Sequence, residues 1–178
     1  ATLAGGSGAS VESTCADAHA AIALMREVGR RDFRMVNDCD ASGALSACKR
    51  NVIRKAVALG VPFTLDVQSP ARIRTIGYER SAQIGLEALI TGFLHRAAAL
   101  GGRLRVKLHS RADEVFLEMS GDFPLIDGAK EFFPTHAGEA GDQDFARVCL
   151  QCGAALLGLR REQILVAAAS DQRVSIYL

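Results

Sequence analysis

One stretch decides the fold of this chain: Gln83–His95 reads QIGLEALITGFLH, and the segment Gly101–Val106 that soon follows it reads GGRLRV. Apolar residues lie on more than one side of the first stretch, which predicts a deeply buried helix over Glu79–Leu100. A glycine pair is a typical end for such a helix. Strict alternation of apolar and polar residues then predicts strands over Arg103–His109 and Glu114–Met119, joined as an antiparallel hairpin with one buried face.

The remaining elements interleave helices with paired strands. The patterns predict helices over Val11–Arg30, Ser42–Leu59 and Gln143–Leu157, and strands over Phe33–Asn37, Phe63–Val67, Arg72–Ile76, Ile164–Ala168 and Arg173–Leu178. An irregular stretch rich in glycine and proline, Ser120–Asp144, precedes the last helix, and a loop of that length is usually functional or disordered. The hairpins exclude a purely parallel sheet. The expected fold is therefore α/β, a two-layer sandwich of a mixed, mostly antiparallel sheet with helices on one face.

The composition is that of one globular domain. The 178 residues are 49% hydrophobic and 23% charged, which excludes a disordered chain. The chain has 21 Lys and Arg residues and 20 Asp and Glu residues, a net charge of +1. It therefore lacks the large excess of basic residues that is typical of nucleic-acid-binding proteins. No apolar run approaches the roughly 20 residues that cross a bilayer, so no membrane contact is expected from this segment. We expect residues 1–10 to be a linker or truncated end, and residues 11–178 to form a single domain.

The five cysteines are few, odd in number and scattered, which favours a reduced, cytoplasmic protein. Cys149 and Cys152 form one C-x-x-C pair, whereas a zinc site of this kind needs a second pair. We expect both thiols to be small buried groups on the last helix, and no metal site is predicted.

This order of elements, with a long loop before the last helix, resembles the ATP-binding domain of histidine kinases and the wider family of gyrase-type ATPases. Gln83–His95 resembles the family's N-box helix, typically Q-x-x-x-N/E-L-L-x-N-A-x-K-H/Y, and Gly101–Val106 resembles the glycine pair and strand that follow it. Glu114–Ile126 occupies the place of the first glycine box, typically V-x-D-x-G-x-G-I, and Phe145–Leu157 resembles the last helix. The resemblance spans roughly residues 41–178.

The resemblance also shows where the N-box departs from the family pattern. In the family an N-box Asn coordinates the magnesium that bridges the nucleotide phosphates, and this position is Thr91, whose single hydroxyl is a poorer ligand for a hard cation. Glu87 stands where the family carries an acid or an amide, and one helical turn separates it from Thr91, so both can face the same cavity. His95 stands where the family often has a His or Tyr near the nucleotide.

Both glycine boxes are altered as well. In the first box, the position of the adenine-binding Asp falls on Gly121, although shifting the alignment by one residue offers Asp122 instead. The box glycines fall on Phe123 and Leu125, whose side chains would fill the space of the adenine base. In the second box, acidic side chains lie where phosphates would bind: Glu139, Asp142 and Asp144. The resemblance thus implies a vestigial nucleotide site of six residues: Glu87, Thr91, His95, Asp122, Gly138 and Gly141.

Three altered motifs together indicate a domain that kept the fold and lost ATP binding. The resemblance then implies a module of a bacterial two-component histidine kinase or phosphotransferase that needs no cofactor and acts through contacts with a response regulator or another signalling protein. His19 lacks the sequence context of a phosphoacceptor, so a phosphoacceptor hairpin either lies upstream of Ala1 or never belonged to the protein. If the hairpin is present upstream, the resemblance implies a homodimer formed through it.

Two alternatives stay open at this point, and with them whether the chain is an enzyme. The first is a divergent but active ATP-binding domain of a sensor histidine kinase, which would use ATP and magnesium with Glu87, Thr91 and Asp122, Glu87 being the candidate catalytic residue. The second is a stand-alone, anti-sigma-like regulatory binder on the same fold.

Overall fold

The computed structural model describes residues 7–30, 36–68, 72–76, 79–111, 114–122, 128–133, 145–167 and 172–178. Within these ranges lie four α-helices: α1 (Ser7–Gly29), α2 (Ala41–Ala58), α3 (Glu79–Leu100) and α4 (Phe145–Leu157). The strands of the same ranges are β1 (Val36–Asp40), β2 (Phe63–Val67), β3 (Arg72–Ile76), β4 (Leu104–Arg111), β5 (Glu114–Gly121), β6 (Ile164–Val166) and β7 (Arg173–Tyr177). Two short 3-10 helices span Ala129–Phe132 and Arg161–Gln163.

The main sheet has five strands in the order β2-β4-β5-β7-β6. β2 runs parallel to β4, and the other neighbours are antiparallel. β1 and β3 pair with each other in a separate two-stranded antiparallel sheet instead of joining the main one. The predicted α/β sandwich with a mixed, mostly antiparallel sheet is confirmed.

The core lies between the main sheet and the helices. Leu104, Val106 and Leu108 alternate along β4 and are buried, whereas Arg105 between them is exposed, as the alternating pattern predicts. α3 is buried on several sides, as predicted, and its largest core side chain is Phe93. Among the residues that the structure describes, none of the helices has the length and apolarity that a bilayer crossing requires.

Several element boundaries differ from the prediction. α1 begins at Ser7, so residues 7–10, which the sequence predicts as linker, are helical. β1 extends to Asp40 where the predicted strand Phe33–Asn37 ends at Asn37, because the strand runs directly into the residue that caps α2. Residues 33–35 of that prediction lie outside the described residues. The predicted irregular stretch 120–144 contains the 3-10 helix Ala129–Phe132, because its apolar end is buried in the core.

A side-chain cap begins α2. Asp40 Oδ1 accepts a hydrogen bond from the Ser42 backbone N–H at 3.0 Å, which satisfies one of the N–H groups that a helix start leaves without a partner. We expect Asp40→Ala to lower the free energy of unfolding, measured with urea, by about 1 kcal/mol. Asp40→Asn keeps an acceptor and should retain most of that stability. An equal loss in both variants would contradict the capping role.

Candidate functional site

The N-box residues face a cavity between the helices. Glu87 and Thr91 lie one turn apart on α3, and both line a cavity of about 370 Å³. Its other walls come from α1, from Lys55 of α2 and from the first turns of α4. The structure therefore places Glu87 and Thr91 in one cavity, as their spacing predicts.

Lys55 of α2 holds these two residues together. Its Nζ donates to Glu87 Oε1 at 2.9 Å and to Thr91 Oγ1 at 3.1 Å. The Thr91 hydroxyl in turn donates to the Glu87 backbone carbonyl at 2.7 Å, and Asn51 Nδ2 contacts Glu87 Oε2 at 3.4 Å. Glu87 keeps only 20% side-chain exposure and Thr91 is buried, so the lysine joins α2 to a polar group inside the helix layer. Sequence reasoning missed Lys55.

His95 lies beside this cavity but does not line it. Its ring meets that of Phe145 nearly edge to face, with centroids 4.8 Å apart and an interplanar angle of 78°. Because Phe145 is itself a lining residue, His95 supports the wall at the start of α4.

Asp122 lies elsewhere, at the end of β5. Its Oδ1 accepts from the Arg103 backbone N–H and its Oδ2 from Arg103 Nε, both at 2.8 Å. These hydrogen bonds, above all the backbone one, hold the pKa of the Asp122 carboxyl below its usual range. Asp122 borders a separate open depression beside Gly101 and Gly102. The structure does not bring Asp122 to the Glu87 cavity, and Gly138 and Gly141 lie outside the described residues.

Solved structures share this arrangement of helices and strands. The catalytic domain of the histidine kinase ThkA, in a nucleotide-free form, matches with a TM-score of 0.52 and 9% identity over 80% of this chain and 93% of that one. The chain has the fold of a histidine-kinase catalytic domain. The histidine kinase AdeS of Acinetobacter baumannii matches with a TM-score of 0.50 and 11% identity over 88% of this chain and 75% of that one. No protein-family model and no curated protein matches the sequence.

The histidine-kinase fold implies a magnesium ion at the N-box, and the residues present do not fit it. The Lys55 ammonium already occupies the space between Glu87 Oε1 and Thr91 Oγ1. Near a protein surface, two unit positive charges about 4 Å apart repel by roughly 4 kcal/mol, and a divalent cation doubles that repulsion. Lys55 would have to leave both oxygens before such an ion could bind there.

Burial keeps two cysteines of the helix layer, Cys48 and Cys152, in the protonated thiol form. Burial raises the pKa of the Cys48 thiol to about 12, and the nearby negative charge of Glu87 adds to this effect. Burial also raises the pKa of Cys152. Cys149 and Cys152 are both buried on α4, where the sequence places them. A thiolate is the reactive form of cysteine, so Cys48 and Cys152 are held in the unreactive thiol form.

Two contacts fix the segment 128–133 to α3. Phe132 is 1% exposed, and its ring centroid lies 6.1 Å from that of Phe93 on α3. Its neighbour Glu131 forms an ion pair with Arg96, also on α3. This part of the chain between β5 and α4 is therefore anchored in the core, a feature that the glycine- and proline-rich sequence around it does not signal.

Proposed function

We propose that this chain is a cytoplasmic module of bacterial two-component signalling that uses the histidine-kinase catalytic-domain fold for protein contacts and does not bind magnesium and ATP. The observation that carries the proposal is the position of Lys55. Its ammonium group donates to Glu87 and Thr91, the two N-box residues from which a metal would need oxygen ligands. An internal cation therefore neutralises the carboxylate that would otherwise attract magnesium.

The altered glycine boxes support the same conclusion. In the family's sequence pattern, Phe123 and Leu125 take the positions of glycines that let the backbone approach the nucleotide, and Glu139, Asp142 and Asp144 take positions next to the phosphates. These five residues lie outside the described ranges, so this support comes from the sequence. Asp122, the remaining candidate for adenine recognition, has both carboxylate oxygens engaged by Arg103. The partner that we propose is a response regulator or another signalling protein, which follows from the resemblance to two-component kinases.

The proposal is tested by titrating the whole chain with ATP and magnesium in a calorimeter and by thermal melting. We expect no heat of binding and no rise in Tm at millimolar ATP. A ligand at one hundred times its Kd would stabilise the fold by about 2.7 kcal/mol, so binding with micromolar Kd would raise the Tm measurably.

Binding with micromolar Kd would overturn the proposal. Two variants, Glu87→Gln and its control Glu114→Gln, would then locate the nucleotide. Glu87 lines the cavity, whereas Glu114 is an exposed glutamate at the start of β5 and does not line it. Loss of binding in Glu87→Gln, with binding retained in Glu114→Gln, would place ATP in the N-box cavity and favour the active kinase alternative.

A further inference from the structure

We propose that the cavity between the four helices binds a small organic anion that carries one negative charge on an apolar body. This inference rests on the proposed function, since a cavity that bound magnesium and ATP would need no other ligand. It differs from that function in naming what the altered site accepts.

The size and walls of the cavity fit such a molecule. Its volume of about 370 Å³ lies within the range of roughly 300–1,000 Å³ that small-molecule sites occupy. Several walls are apolar, and alanines of α1 and α3 stand where larger side chains would fill the space. The apolar lining residues are Ala20, Ala23, Leu24, Ile84, Ala88, Phe145 and Cys149.

The charges around the cavity limit how much negative charge a ligand can carry. Two cations, Lys55 and Arg80, and two carboxylates, Glu27 and Glu87, line it, so the walls are neutral overall and give no excess positive charge for a polyphosphate. Lys55 is paired with Glu87. Arg80 is exposed and, within the described ranges, forms no ion pair. Glu27 is half-buried and forms no ion pair in these ranges either, so its carboxylate disfavours a second negative charge on the ligand.

Arg80 therefore supplies the group that would bind the acid. A guanidinium binds a carboxylate or sulfonate through two parallel hydrogen bonds, which a single negative charge satisfies. Because Arg80 is exposed whereas Ala88 and Cys149 are buried, the acid would lie at the mouth and the apolar body against these two residues.

The probe is 8-anilinonaphthalene-1-sulfonate, an aromatic sulfonate whose fluorescence rises in apolar surroundings, titrated into the whole chain. We expect one saturable site per chain. Arg80→Gln should weaken binding about tenfold, because a charged hydrogen bond is lost. Ala23→Phe places a ring in the cavity from an exposed helix position and should abolish binding.

Ala18→Phe is the matched control, because Ala18 is also an exposed alanine of α1 but does not line the cavity. It should bind the dye as the unchanged chain does. Equal dye binding in Ala18→Phe and Ala23→Phe, or dye binding that does not saturate at one per chain, would overturn the inference and leave the proposed function intact. Displacement of the dye by ATP with magnesium would overturn the proposed function, and with it this inference.

Discussion

Phe132→Ala is expected to lower the free energy of unfolding, measured with urea, by about 4 kcal/mol. Phe132 is 1% exposed and packs against Phe93 of α3, which is fully buried. Truncating a buried phenylalanine removes its transfer free energy and leaves a cavity, at a typical cost of about 3–5 kcal/mol. The large effect would come from a segment whose surrounding sequence is typical of a loop.

Two comparisons make this prediction specific. Phe133 is the next residue and is only half-buried, so Phe133→Ala should cost roughly 2 kcal/mol or less. Phe132→Ala and Phe93→Ala share one aromatic contact, so their effects should depart from additivity by about 1 kcal/mol. Equal losses at Phe132 and Phe133, or strict additivity with Phe93, would show that segment 128–133 is not anchored on α3.

The sequence predicts most of the fold because the buried faces repeat with the period of their elements. α3 spans Glu79–Leu100, the bounds that its apolar residues predict. The β4–β5 hairpin follows from alternation, and its register pairs Leu104 with Gly121. That register also explains Asp122, since it brings the end of β5 beside Arg103. The predicted hairpin therefore already brings Asp122 next to Arg103.

The sequence predicts less of the candidate site than of the fold, because the site is formed by contacts between helices that are distant along the chain. The spacing of Glu87 and Thr91 predicts a shared cavity, and the structure places both there. Lys55 lies on another helix, 32 residues before Glu87 along the chain, and only the packing of α2 on α3 brings its ammonium to the carboxylate. In the sequence, Lys55 is one of several basic residues on a helix with a polar face. No spacing rule distinguishes it from Lys49 or Arg54.

The sequence also does not predict the crossing of α3 and α4, two helices that both line the cavity. The two helices meet at Gly85 and Gly153, where their backbones approach closely. A Cβ placed on Gly153 would lie 2.8 Å from Leu89 Cγ and 2.9 Å from the Gly85 carbonyl oxygen. The leucine side chain can shift, but the carbonyl belongs to the backbone of α3. A side chain at Gly153 would therefore force the helices apart.

Gly153→Ala should consequently lower the free energy of unfolding by about 2 kcal/mol. Alanine is favoured over glycine in a helix by about 1 kcal/mol, yet overpacking a close contact costs about 1–3 kcal/mol and here includes a clash with backbone. Gly29→Ala is the matched control, because a Cβ on Gly29 would meet nothing within 4 Å, so that change should be neutral or slightly stabilising. Thermal and urea unfolding of the two variants would measure the difference. Equal stability of the two variants would contradict the close crossing.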